Sequence, residues 1–376
     1  MSDGVHSSVS RNTVVLAAGG TGGHLFPAQA LAEELVRRGI LVHLMTDERV
    51  RDYGKSFPAL ETHIVPAATL TLRRPWALPL QLLRLYRGYR RARVILEKLK
   101  PAAVVGFGGY PSLPPLLAAT RIKIPTLIHD QNAVMGRANR LLAQFATAVA
   151  ASFPNMADLP NGAAENVTVT GNPVRDLVLA EKATPYSPPA ADLPYNLLVF
   201  GGSQGAKFFA DFMPEVLKEL PKAMTRNLRL VQQCRGGDLE VVSAAYEAME
   251  LNYEAQPFFN DMPKRIAAAH LVICRSGAST IAELGVIGRP AIMVPLPHAI
   301  DNDQLRNAES FAAVGAGWVR SQAGLQPQEF AAFLTRLRYQ ESELRQAAQA
   351  ALSYGRPDAA RRLADLTQRI AGKLTT

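Results

Sequence analysis

Twice in this chain a short apolar run ends in a cluster of glycines that opens directly into a helical pattern. The first is 13–18, followed by Gly19, Gly20, Gly22 and Gly23 and an apolar periodicity over 27–38 that Gly39 stops. The second is 196–200, followed by Gly201, Gly202 and Gly205 and a helix predicted over 207–220. Strand, glycine turn and helix in that order are the start of a right-handed parallel crossover, and such units stack into a sheet covered by helices on both faces. Further apolar runs at 41–46, 102–106 and 126–129, then at 228–232, 271–274 and 291–294, are separated by helix-length segments. They predict two doubly wound α/β domains in series, with a ligand in the crevice between them at the carboxyl ends of the strands. At 376 residues the chain can close two such cores. The Pro- and Ala-rich stretch 182–195 breaks the periodicity, giving expected domains of 1–180 and 196–353 joined by a linker at 181–195.

The charge is unevenly spread. The net charge is +9, and residues 70–100 carry nine basic side chains against Glu97 alone. An excess of this kind calls for an acidic partner: nucleic acid, an anionic membrane or a phosphorylated ligand. Around 70–95, Arg73, Arg74, Arg84 and Arg87 are interleaved with Trp76, Leu78, Leu82, Leu83 and Tyr86. A helix with arginines on one side and Leu or Trp on the other suits the interface of an anionic bilayer. The competing reading is a solvated basic helix that buries its leucines. No common nucleic-acid-binding motif is present, so a nucleic-acid partner is not expected. Cys234 and Cys274 stand 40 positions apart, which suits neither a disulfide framework nor a zinc knuckle. The sequence reads without a signal peptide or spanning helix.

The glycine loops carry the chemistry. Gly19-Gly20-Thr21-Gly22-Gly23-His24 fails the dinucleotide pattern G-x-G-x-x-G at Leu25, and Ala206-Lys207-Phe208 fails the nucleoside-triphosphate P-loop. Both remain phosphate cradles, because glycines let backbone N–H groups at a helix start approach an anion. Gly106-Phe107-Gly108-Gly109-Tyr110 is a third cluster after a strand. Thr280-x-x-Glu283 fits a capping box, although the same segment can present N–H groups to a diphosphate and a carboxylate to sugar hydroxyls. Asp301-Asn302-Asp303 has the form of a pair of metal-binding carboxylates, yet short acidic runs before a helix are more often N-caps. No metal or other cofactor is expected. His24, next to the first loop, is the candidate general base, with a structural histidine as the alternative.

Taken in order, GGTGGH (19–24), GFGGYPS (106–112), HDQN (129–132), GNPVR (171–175), GGSQGA (201–206), CRSGAST (274–280) and PHAIDNDQLRNA (297–308) resemble the MurG family, peripheral membrane GlcNAc transferases that make lipid II in peptidoglycan synthesis. The resemblance implies a GT-B fold whose N-terminal domain takes the lipid-linked acceptor, lipid I, and whose C-terminal domain takes UDP-GlcNAc. It also implies that a last helix within 354–376 packs back on the N-terminal domain. Transferred onto matching positions, it assigns Thr21, Gly22, Gly23, Asn132, Arg175, Ser203, Phe259, Ala278, Ser279, Thr280, Glu283 and Gln304 to UDP-GlcNAc. Gly20, Thr21, Gly22, Gly108, Gly109 and Tyr110 go to the acceptor pyrophosphate. It places the enzyme on the cytoplasmic face of the bacterial inner membrane, with cell-wall synthesis and division proteins as further partners. Asp130 stands where the family commonly has Glu, Phe259 where it often has Ile, and Asp303-Gln304 where many members have two glutamines. The implied reaction is an inverting, metal-independent transfer. A UDP-GlcNAc 2-epimerase, a nicotinamide dehydrogenase and a non-catalytic donor-binding scaffold are the competing readings.

Overall fold

The computed structural model describes residues 12–372 except 20–21, 51–56, 70–74, 161, 163, 191–192, 203–206 and 298–301. The chain forms two compact units, Met1–Asp176 with Pro357–Thr376, and Leu177–Arg356.

In the first unit, β1 (Thr13–Ala17), β2 (Leu41–Thr46), β3 (Glu61–Ile64), β4 (Ala103–Gly106), β5 (Thr126–Asp130), β6 (Ala148–Ala151) and β7 (Val167–Val169) form one sheet in the order β3-β2-β1-β4-β5-β6-β7. Every pairing is parallel. β1, β4, β5 and β6 are buried along their whole length, as strands covered by helices on both faces must be. The order reverses between β1 and β4, so the loops that leave these two strands open side by side at the carboxyl end of the sheet. Those loops are the glycine clusters beginning at Gly19 and Phe107. The helix α1 (Gly22–Arg37) follows the first cluster and starts five residues ahead of Pro27, which places His24 in its first turn. The prolyl ring removes one backbone donor without ending the helix.

The second unit repeats the plan. β8 (Tyr195–Phe200), β9 (Leu228–Gln233), β10 (Asn252–Gln256), β11 (Leu271–Cys274), β12 (Ala291–Met293) and β13 (Gly317–Val319) run parallel in the order β10-β9-β8-β11-β12-β13. Its switch point lies between β8 and β11, the strands that lead into the GGSQGA and CRSGAST segments.

The expected linker at 181–195 is different in the structure. The change of unit falls after Asp176, and the Pro-rich segment is a strap on the second unit. Lacking a ladder partner, the strap gives its carbonyls to buried arginines. Arg289 donates to Thr184 O at 3.2 Å, and Arg338 donates to Pro189 O, Ala190 O and Leu193 O at 2.9, 2.7 and 3.0 Å. The chain rejoins the first unit at Pro357, and a helix over Ala359–Gly372 buries Leu363, Ala364, Leu366 and Ile370 in the core that also holds Leu31 and Leu35. Arg38 fixes that helix from outside, donating to Asp365 and Gln368 at 2.7 and 2.6 Å.

Among the described residues no helix is long and apolar enough to cross a membrane. The helix α2 (Leu78–Leu99) buries only Gly88, Ala92 and Leu96, from its midpoint onward. Its first half and the turn before it expose Trp76, Leu80, Leu82, Leu83 and Tyr86, with Trp76 at 76% and Leu80 at 70%. The helix thus hides Leu96 and packs Leu85 and Leu99 on the domain, while Leu80, Leu82 and Leu83 stay outside.

Candidate active site

In the first unit the two loops at the switch point meet around His24. A side chain built on Gly109 would stand 3.3 Å from His24 Cδ2 and 3.4 Å from Nε2, so this loop passes the ring edge at close range. Gly108 and Gly109 both have φ in the left-handed region, at 83° and 70°, where glycine is unstrained. Tyr110 begins the single turn Tyr110–Ser112 beyond them, and the Ser112 hydroxyl donates to Gly109 O at 2.8 Å.

The HDQN segment closes the site from β5. Asp130 is buried and works as a loop staple: its carboxylate accepts from Asn132 N–H at 3.1 Å, Gly136 N–H at 2.9 Å and Asn139 Nδ2 at 2.9 Å. Burial raises its pKa above the usual carboxylate range, and the three donors oppose that. Asn132 is half-buried on the same turn. His129 is wholly buried, and burial pushes its pKa down to about 4. Gln131 lies between the two histidines, with Oε1 2.9 Å from His24 Nδ1 and Nε2 3.0 Å from His129 Nδ1. Sequence reasoning singled out His24, ranked His129 below it and gave Gln131 no role of its own within HDQN. Arg175 lies beside the same helix start: its guanidinium is 3.9 Å above the Phe26 ring on α1, the ring that a side chain built on Gly22 would meet at 3.0 Å. Gly22 and Gly23 lie in the first turn of α1, the former buried and the latter exposed.

In the second unit the helix α3 (Ala278–Ile287) begins immediately beyond β11. Gly277 is its N-cap and contributes no side-chain hydrogen bond, so Thr280 is the third helical residue and the capping-box reading of Thr280 and Glu283 does not hold. Ala278, Ser279 and Thr280 form the first turn, the positive end of the helix dipole. Glu283 is buried one turn further on. Ser276 ties this loop to the next helix, α4 (Asp303–Ala313): its hydroxyl donates to Gln304 O at 2.7 Å, and its own carbonyl accepts from Asn307 Nδ2 at 3.2 Å. Gln304 Oε1 accepts from Leu296 N–H at 3.0 Å, which leaves the amide NH2 as the group available for donation. Asp303 is the first residue of α4, and its Oδ1 accepts from Gln304 N–H at 2.8 Å. Phe259 is buried with the Arg265 guanidinium 4.0 Å over its ring, so its face is already occupied.

Gly20, Thr21, Ser203, Arg73, Arg74 and Asp301 lie outside the described residues. Of the expected membrane residues, Arg84 and Arg87 are exposed with Trp76, whereas Leu78 is half-buried.

Residues 14–151 match the glycosyltransferase family 28 N-terminal domain, and residues 196–363 match its C-terminal domain. The UDP-N-acetylglucosamine–N-acetylmuramyl-(pentapeptide) pyrophosphoryl-undecaprenol N-acetylglucosamine transferase of Mesorhizobium japonicum is 51% identical over 98% of this chain and 97% of its own. The transferase of the same name from Rhizobium johnstonii is 48% identical over 98% of both chains. The crystal structure of Acinetobacter baumannii MurG superposes with a TM-score of 0.75 at 32% identity, covering 95% of this chain and 99% of that one. The chain belongs to the MurG family. MurG and its relatives thus account for both units and for the GT-B architecture. A UDP-GlcNAc 2-epimerase from Neisseria meningitidis also superposes, with a TM-score of 0.67, but at 15% identity it shares the fold alone.

Proposed function

We propose that this protein transfers GlcNAc from UDP-GlcNAc to the MurNAc 4-hydroxyl of undecaprenyl-pyrophosphoryl-MurNAc-pentapeptide, with inversion at the anomeric carbon. The observation that carries the reading is identity of about half, over nearly the whole length, to transferases named for that reaction. The acceptor hydroxyl attacks the anomeric carbon as the bond to the diphosphate breaks, the hydroxyl proton passes to His24, and UDP departs with the bonding electrons. The start of α3 offers preorganised N–H dipoles to the charge that develops on the leaving diphosphate. Glu283 takes ribose hydroxyls and the Gln304 amide donates to the sugar. With that charge met by the helix start, the transfer needs no metal.

The lipid acceptor confines the reaction to a membrane surface. The exposed apolar and basic first half of α2 suits docking on an anionic bilayer. Arg87, Arg90 and Arg91 line a groove there with His63, Tyr86 and Val94. On this reading the enzyme is peripheral; the cytoplasmic face of the inner membrane and the cell-wall and division proteins as partners follow from the family resemblance.

The test is incubation with labelled UDP-GlcNAc and a short-chain lipid acceptor in EDTA, following label on the lipid and release of UDP. Transfer and UDP release in equal amounts are expected. UDP released without glycosylated lipid, or an epimerised sugar, would reject the reading. His24→Ala is expected to lower kcat by about 10²–10⁴, the contribution of a general base.

A further inference from the structure

Behind His24 the first unit holds an unbroken hydrogen-bonded line. His24 Nδ1 lies 2.9 Å from Gln131 Oε1, Gln131 Nε2 lies 3.0 Å from both His129 Nδ1 and His129 O, and His129 Nε2 lies 3.1 Å from Gly171 O. Two of these contacts involve backbone carbonyl oxygens, which can only accept. Gly171 O therefore requires the His129 proton on Nε2 and leaves Nδ1 as an acceptor. Ser152 agrees: its hydroxyl donates to Asp130 O at 2.8 Å, so toward His129 Nε2, 3.4 Å away, it can only accept. His129 O requires the NH2 end of the Gln131 amide, since turning the amide over would bring two carbonyl oxygens within 3.0 Å. Gln131 Oε1 then faces His24, and the proton between them must sit on His24 Nδ1.

We infer that Gln131 and His129 are positioning residues that hold His24 as its Nδ1–H tautomer, leaving the Nε2 lone pair as the proton acceptor. The part played in transfer rests on the reading of His24 as the base; the tautomer does not. His129 and Asp130, both on β5, are the titratable groups beside His24. Burial of His129 keeps it neutral at pH 7, as the line requires. Gly109 faces this nitrogen without a side chain: a Cβ there would stand 3.4 Å from His24 Nε2. A water-exposed histidine has no such preset tautomer; here the choice is made by a glutamine 107 positions away.

The test is the nitrogen spectrum of full-length protein carrying ¹⁵N-histidine, recorded above pH 8 with His24→Ala to assign the ring. The parent is expected to show a protonated Nδ1 and a bare Nε2 on His24. Gln131→Leu removes the acceptor and should shift the majority to Nε2–H, with kcat for transfer falling about 10- to 100-fold and KM for UDP-GlcNAc within about twofold. Gln131→Met keeps the length of the side chain while removing the acceptor and should shift the tautomer as Gln131→Leu does, which separates loss of the bond from loss of packing. A parent His24 protonated on Nε2, or a tautomer indifferent to Gln131→Leu, overturns the assignment. If the tautomer responds as expected but His24→Ala transfers GlcNAc within about tenfold of the parent, the base is elsewhere and only the tautomer assignment stands.

Discussion

His270 illustrates what a single ring can impose in the second unit. Its Nδ1 accepts from Asn196 N–H at 2.9 Å, and its ring lies parallel to Tyr195 at 6.1 Å. Burial, then the charges of Arg338 and Arg289, push its pKa down to about 4. Protonation would set an N–H against the Asn196 N–H. Because the unfolded chain takes the proton near 6.5 and the folded chain near 4, the stability His270 contributes is complete above pH 6.5 and is lost as pH falls toward 4. The difference in urea-unfolding free energy between the parent and His270→Gln should therefore narrow between pH 7 and pH 5. The expected change is on the order of 1 kcal/mol after allowance for solvent around a partly exposed ring. A difference independent of pH would contradict this. At this scale His24 was legible, since it adjoins a glycine loop. Gln131 and His129 were not, because their role comes from a contact 107 positions away in sequence.

Elements were legible where their pattern was strong. The buried strands β1, β2, β4, β5, β8, β9, β11 and β12 coincide with apolar runs to within a residue or so. The strands that sequence analysis did not pick out lack a clear apolar run. β3 (ETHI) and β10 (NYEAQ) are polar edge strands that pair on one side only, so their sequences carry little apolar signal. β6 (AVAA) is too rich in alanine to stand out. The helix α2 was legible as basic and amphipathic, but which of its residues stay outside was not. Gly88, Ala92 and Leu96, spaced by four, form its only buried stripe, and Gly88 is needed because a Cβ there would collide with Pro66 O. Replacing Leu80, Leu82 and Leu83 together by serine should leave thermal unfolding within a degree or two, since none of the three is in a core cluster. Partition onto anionic vesicles should drop by tenfold or more, as each buried leucine contributes roughly 1.5–3 kcal/mol. Unchanged partition in a vesicle-flotation assay would move the docking surface elsewhere.

At the scale of the molecule, two doubly wound units were readable from the repeated strand–glycine–helix order, but the part played by the segment 181–195 was not. Proline content suggested a linker where buried Arg289 and Arg338 instead bind a strap, and no local pattern reveals which buried arginine will collect which carbonyl. The C-terminal helix Ala359–Gly372 supplies four buried apolar side chains to the first unit's core. Ending the chain at Arg356 should remove several kcal/mol from that unit, a large part of the roughly 5–15 kcal/mol that holds a domain folded. Hydrogen exchange should show β1, β4 and β5 losing protection while β8 and β11 keep it; equal protection in both units would refute the assignment.

That closing helix also orders events on the ribosome. A first unit whose core is completed by residues 359–372 must wait, after Asp176 has been made, for about 200 more residues, or roughly 10–40 s of synthesis. Through that interval Leu31 and Leu35 lack the partners supplied by 359–372, and the second unit, which ends at Arg356, has its complete sequence before the first does. The part of the chain translated first is thus the part whose fold is finished last, and its nascent form is the one most in need of a chaperone.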